Sequence, residues 1–159
     1  MITLLGIVLY SMSSIAFAMA LGGIFYQHIV EYRNWSLNIP QSLIAYREFF
    51  KKSDFGSFFK MFMPAAFLCL VVSVAILWNY STLLRVWMLI GMAGMFLTAG
   101  FTNTYFVPKH KKLFEGPVEI QKTVELNHVA DQWRKGNYAR MILMGATLAS
   151  MFEGIKLLA

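Results

Sequence analysis

Charge is what this sequence lacks over most of its length. Met1–Val30, Met61–Leu84, Val86–Pro108 and Met141–Phe152 contain no Asp, Glu, Lys or Arg. A hydrocarbon core of about 30 Å needs roughly 20 apolar residues in a helix. The first three stretches reach that length, and the fourth does so by running on through Glu153 and Lys156. Lipid cannot satisfy exposed backbone groups, so a spanning segment must be a helix. Cysteine is nearly absent as well. Cys69 is alone, which excludes an intrachain disulfide framework or thiolate metal cluster, and its place in a span suits a small hydrophobe. There is no basic segment before the first apolar run, so the N-terminus reads as an uncleaved span rather than a signal peptide.

What is present fits a membrane domain. The chain has 159 residues, of which 58% are hydrophobic, leaving little room for a separate soluble domain. The expectation is one all-α integral membrane four-helix bundle over residues 1–159, with spans at about 2–27, 61–80, 83–107 and 138–158. Two amphipathic or interfacial segments lie between the spans. Gln41–Lys52 forms a short helix on the membrane after the turn Asn38-Ile-Pro40, serving as an anchor or a lid. A second helix starts at Gly116-Pro117, with Glu119 near its positive end, and runs to about Lys135. Gly136 either kinks it before span four or lies within one continuous helix. Spans two and three are antiparallel neighbours joined by a tight turn, with Pro64 in the first turn of span two. Ala16-x-x-x-Ala20, Ala18-x-x-x-Gly22 and the glycines Gly91, Gly94 and Gly100 suit close helix packing.

The net charge of +6 resides in two loops. One carries Arg33, Arg47, Lys51, Lys52 and Lys60, and the other Lys109, Lys111, Lys112, Lys122, Arg134, Lys135 and Arg140. Basic loops face the cytoplasm. Both termini are therefore expected outside a bacterial inner membrane, with anionic lipid, not nucleic acid, answering the charge.

Few residues stand out chemically. His28, His110 and His128 share the predicted cytoplasmic side, where converging imidazoles could bind a metal or haem. They have no short ligand spacing, and no H-E-x-x-H occurs. Trp133, Asn137 and Arg140 share one helix face at i, i+4, i+7, which Leu126, Val129 and Ala130 extend. That Arg can snorkel or position an anionic or phenolic ligand. Glu153 falls about 20 Å along span four from Arg140. An intramembrane acid is costly, and Lys156 or Arg85 would be its structural partner.

Thr102-Asn-Thr-Tyr-Phe-Val-Pro108-Lys-His110-Lys-Lys-Leu113 resembles the Thr…Pro-x-Asn-x-x-Leu block of the anthrone oxygenase-like family. Trp133-x-x-x-Asn137-x-x-Arg140 is similar to that family's Trp-x-x-x-(His or Asn)-x-x-Arg. The chain before these blocks matches in hydropathy alone, and His110 stands where the family usually has Asn. The resemblance implies a four-helix membrane bundle and, for members with an assigned role, oxygenation of a phenolic polyketide without an established metal.

The leading expectation is therefore an oxidoreductase or oxygenase-like membrane protein with a cytoplasmic-end pocket between spans one, three and four. Its ligand is a hydrophobic small molecule, phenolic or lipid-like, arriving from the bilayer. His28, His110 and Arg140 are its candidate catalytic residues, with a histidine as base. Asn103, Tyr105, Trp133 and Asn137 are the substrate-binding candidates. The alternatives are a non-catalytic subunit or scaffold of a larger membrane complex, or a homo-oligomeric channel or transporter built around Glu153.

Overall fold

The absence of charge translates into long helices. In the computed structural model, residues 1–52, 55–116 and 123–158 are described, with the side chain of Phe55 left aside. Their principal helices are α1 (Ile2–Trp35), α2 (Gln41–Phe49), α3 (Phe55–Leu77), α4 (Thr82–Glu115) and α5 (Thr123–Lys156). No strand occurs among the described residues. Three helices, α1, α3 and α4, are long and apolar enough to cross a membrane.

The four long helices close into a ring. α1 packs chiefly on α3, and α4 on α5, while α1–α5 and α3–α4 contacts complete the circuit. The bundle is apolar outside and partly polar inside. Ile2, Leu4, Leu5, Val8, Met12, Ile15 and Met19 of α1 are exposed, whereas Ser13, Ser14, Ser73, Thr98, Thr147 and Ser150 are buried. That inversion fits a hydrocarbon solvent, in which polar groups must find partners within the protein. Ser13 Oγ donates to the Ala66 carbonyl at 2.7 Å, tying α1 to α3. The Tyr10 hydroxyl donates to the Met151 carbonyl at 3.0 Å, tying α1 to α5.

Close approach is real at Gly94, where a Cβ would overlap Thr147 of α5. It is not general. Gly22 and Gly100, expected to pack against neighbours, meet nothing within 4 Å. Gly136 does not interrupt α5, which is a single helix through it. Its missing side chain instead makes room for the Tyr105 ring. The expected helix start at Pro117 and Glu119, and Lys122, lie outside the described residues.

Helix ends depart most from the sequence reading. α1 runs past Val30 to Trp35. α3 starts at Phe55, so Pro64 lies inside the helix rather than in its first turn. α4 does not stop before Pro108 but continues to Glu115, placing His110 on the helix. A proline within a helix removes a donor and crowds the carbonyl four residues back. The wider π-helical turn Thr102–Phe106, which contains the carbonyl four residues before Pro108, accommodates that defect. Two further π turns, Gln27–Glu31 and Lys111–Glu115, lie at the same end of the bundle. Such turns occur often at functional sites.

Candidate functional site

The extensions of α1 and α4, the first turns of α5 and the whole of α2 build a second core at the charged end. Its buried residues include Trp35, Leu43, Phe106, Leu113, Leu126, Val129, Ala130 and Trp133. Their outer faces carry exposed Arg33, Lys111, Lys112, His128, Arg134 and Lys135. Arg47 clamps α2 onto the end of α4. Its Nε donates to the Leu113 carbonyl at 2.9 Å and its Nη1 to the Gly116 carbonyl at 2.6 Å. Carbonyls at a helix C-terminus have no intrahelical partner, and an arginine is well suited to satisfy them. Partial burial lowers the Arg47 pKa from its ordinary value.

Beneath α2 lies a cavity of about 310 Å³. Gln27, Glu31 and Trp35 of α1 form one wall, His110 and Phe114 of α4 another, and Trp133 of α5 the back, with Tyr46 and Arg47 above. A neighbouring cleft of about 510 Å³ opens between α1 and α2 past Tyr26, Phe49 and Phe50, and shares Glu31 and Tyr46 with it. Trp133 is the hub of the aromatic lining. Its ring stacks with Tyr32 at 6.0 Å and meets Trp35 edge-on at 5.6 Å and Phe106 at 6.0 Å. Its indole Nε1 is buried with no acceptor among the described residues.

Glu31 is the polar counterpart. It is 4% exposed. One carboxylate oxygen, Oε2, accepts the Tyr46 hydroxyl at 2.9 Å, while Oε1 is buried without a partner among the described residues. An ionised carboxylate withdrawn from water is costly unless fully paired.

The residues singled out from sequence separate into groups. His110 and Trp133 line the cavity. Asn137 and Arg140 lie deeper and are buried together. The Arg140 guanidinium donates to Asn137 Oδ1 and lies 3.9 Å from the centre of the Phe106 ring, whose edge meets Trp133. Asn137 Nδ2 donates in turn to the Ile24 carbonyl at 3.4 Å, and Arg140 Nε has no partner among the described residues. The shared face of Trp133, Asn137 and Arg140 is thus buried throughout, together with Leu126, Val129 and Ala130.

Others lie elsewhere. Asn103 is exposed. Tyr105 turns to α5, donating its hydroxyl to the Gln132 carbonyl at 2.8 Å, with Lys109 over its ring. His28 packs edge-on against Tyr138, with centroids 4.2 Å apart, and His128 is exposed beside Gln132. The three histidines therefore face different neighbours, and among the described residues no group of three His, Cys, Asp or Glu is placed to hold a metal. Glu153 pairs with Lys156 at 2.6 Å, whereas Arg85 lies over the Trp78 ring and donates to its carbonyl.

Gln27 and Glu31 were missed because the first span was expected to end at about residue 27, and Tyr46 and Arg47 because their helix was read only as an anchor or lid. Continued as a helix, Ile24, Gln27, Glu31 and Trp35 fall at i, i+3, i+7, i+11, one stripe that the sequence does contain. Nothing in the sequence places α2 over that stripe.

Comparison with curated proteins and with solved structures gives no match. The model of the anthrone oxygenase family matches residues 55–150, which include both resembling blocks and extend upstream through α3, where hydropathy alone had suggested kinship. Of the cavity lining, His110, Phe114 and Trp133 fall inside the matched region, and Gln27, Glu31, Trp35, Tyr46 and Arg47 fall before it. With more than half of its length matched, this chain belongs to the anthrone oxygenase family.

Proposed function

We propose that this protein is a four-span membrane oxygenase that oxidises a flat phenolic ketone, with the charged end facing the cytoplasm and the cavity under α2 as its active site. The observation that carries this reading is one cavity with aromatic walls, lined by Glu31 and Trp133, whose carboxylate Oε1 and indole N–H are buried without partners among the described residues. Largely apolar pockets with a few convergent polar groups are the usual form of a small-molecule site. The cleft past Tyr26, Phe49 and Phe50 supports entry of an apolar ligand from the bilayer side. Family membership supports an anthrone-type ligand, whose benzylic CH2 becomes a carbonyl as one dioxygen yields one water.

The test is oxygen uptake by the protein in lipid nanodiscs with a hydroxyanthrone, followed together with the absorbance of the quinone formed. Equimolar uptake and product, faster than in protein-free nanodiscs, supports the reading. Rates equal to the protein-free control overturn it. Metal analysis and an absorption spectrum of the same sample decide whether a cofactor takes part.

A second reading has its own observation. Gly22, Gly100 and Gly145 face open space, and small residues on a lipid-facing helix surface let a partner helix approach closely. This favours a subunit or scaffold role in a homo-oligomer or larger membrane complex. Native mass spectrometry showing a monomer, unchanged by bulky substitutions at these glycines, removes that support.

A further inference from the structure

Among the described acids of the charged end, Glu31 alone is buried. The cations that line the same cavity are engaged elsewhere. Arg47 holds the carbonyls of Leu113 and Gly116, and Lys51 pairs with Glu48 at 3.3 Å. Tyr46 holds the carboxyl through Oε2 only. Oε1 thus lacks a donor and Trp133 Nε1 an acceptor among the described residues, and both side chains line the same cavity. A ligand that meets both needs has an acidic proton on one side and a carbonyl oxygen on the other. Both atoms are covered in this structure, so a ligand meets them only by displacing the side chains over them. Neither α2 nor Glu31 lies in the region that the family match covers.

We propose that Glu31, not a histidine, is the catalytic base of this site, taking a proton from the ligand while the Trp133 N–H holds the ligand's carbonyl oxygen. This rests on the oxygenase reading for the reaction but not for the proton transfer. Glu31 removes one benzylic proton, becoming a carboxylic acid, and the electron pair left behind delocalises onto the carbonyl oxygen, where an aimed donor stabilises it. Dioxygen, the co-substrate, takes that pair in two one-electron steps and forms a C–O bond. The proton returns from Glu31 to give a hydroperoxide. Loss of the second benzylic proton to Glu31 then forms the new carbonyl as the O–O bond breaks, and the departing hydroxide takes that proton as water. The carbon loses four electrons, dioxygen gains four, and Glu31 ends ionised as it began.

The experiment separates the two claims by first excluding oxygen. A hydroxyanthrone is added anaerobically to the full-length protein in nanodiscs. Binding is read from tryptophan fluorescence, and proton removal from the long-wavelength absorption of the ligand anion. The wild type is expected to show the anion band. Glu31→Gln should bind within about threefold of wild type and lose the band, with aerobic turnover down by about 100-fold. His110→Gln should keep the band.

No band with ligand bound to the wild type overturns the assignment, as does a band that survives Glu31→Gln or is lost only in His110→Gln. A band with no oxygen uptake in air retains Glu31 as base and removes the oxygenase reading. If Glu31→Gln does not fold, Glu31→Asp serves. Its shorter carboxyl should keep binding and lower turnover about tenfold, and unchanged turnover overturns the proposal.

Discussion

The two ends of this bundle are built on opposite rules. In the part where α1 and α3 pair, the outside is apolar and serine and threonine hydroxyls are turned inward onto backbone carbonyls. The core of that end is largely aliphatic, with five buried methionines from α4 and α5 and the rings of Tyr10 and Phe17. At the charged end the order reverses. Lysines and arginines cover an interior of stacked aromatic rings, and that interior holds the cavity. At the apolar end every one of the buried hydroxyls is bonded, most to a carbonyl of its own helix and those of Ser13 and Tyr10 to a neighbouring one. The charged end leaves a buried polar atom without a partner on four side chains, His28, Glu31, Trp133 and Arg140, among the described residues. Full pairing favours a rigid scaffold, and incomplete pairing marks a place where something else binds.

Substitutions can set the two ends against each other. The largest effect is expected from Trp133→Ala, which removes the hub of the aromatic core. Such truncations cost about 3–5 kcal/mol. Thermal unfolding in detergent followed by tryptophan fluorescence should show the charged end loosening first, and loss of the whole bundle at once would deny that the ends are separable. Next comes Gly94→Val in the apolar end. The added side chain meets Thr147 of α5, and overpacking costs about 1–3 kcal/mol, so a lower midpoint in denaturing detergent is the expected outcome. A third change, Tyr46→Phe, removes the donor to Glu31. A bond to a charged group is worth about 1.5–3 kcal/mol, and here the loss should appear as faster hydrogen exchange confined to α2, with α3 unaffected.

Ser13→Ala tests the apolar end's polar bonds at their weakest. Interhelical hydrogen bonds within membranes average about 0.6 kcal/mol, and a cost well above that would mean that the α1–α3 contact depends on Ser13. The smallest effect belongs to the water-facing surface. Hydrogen bonds from Lys135 and Arg134 hold the Asp131 carboxyl below its ordinary pKa. A carboxyl lowered in the folded state contributes stability above its unfolded pKa and loses it as pH falls through the folded value. Asp131→Asn should therefore change the unfolding midpoint slightly near neutrality and not at all in strong acid, and added salt should erase the difference.

How legible each part was follows from which forces act locally. α1, α3 and α4 could be read directly, because a charge-free run of this length has few places to go other than lipid. The buried face of Trp133, Asn137 and Arg140 was also visible, since helical spacing is a local property of the chain. The helix ends were not. Pro108 looked like a stop, but α4 continues past it, with a π turn at Thr102–Phe106 just upstream. Glu31 looked like the first residue of a loop, because nothing near it in sequence announces Tyr46 above or Trp133 behind.

From the sequence alone came an all-helical chain with four expected spans, of which the structure shows three long and apolar enough to cross a membrane, a charged end and an uncharged end, and kinship to one family over residues 55–150. Those are consequences of solvent preference and local period, which each residue carries wherever it is placed. Tertiary structure alone decided that α2 folds over the end of the bundle, clamped by Arg47, and that His110 meets the cavity while His28 and His128 do not. It also decided that a lone glutamate is buried in the lining of the same cavity as an indole without an acceptor among the described residues. Contacts of that kind join residues far apart in the chain, and their energies exist only once the helices have packed.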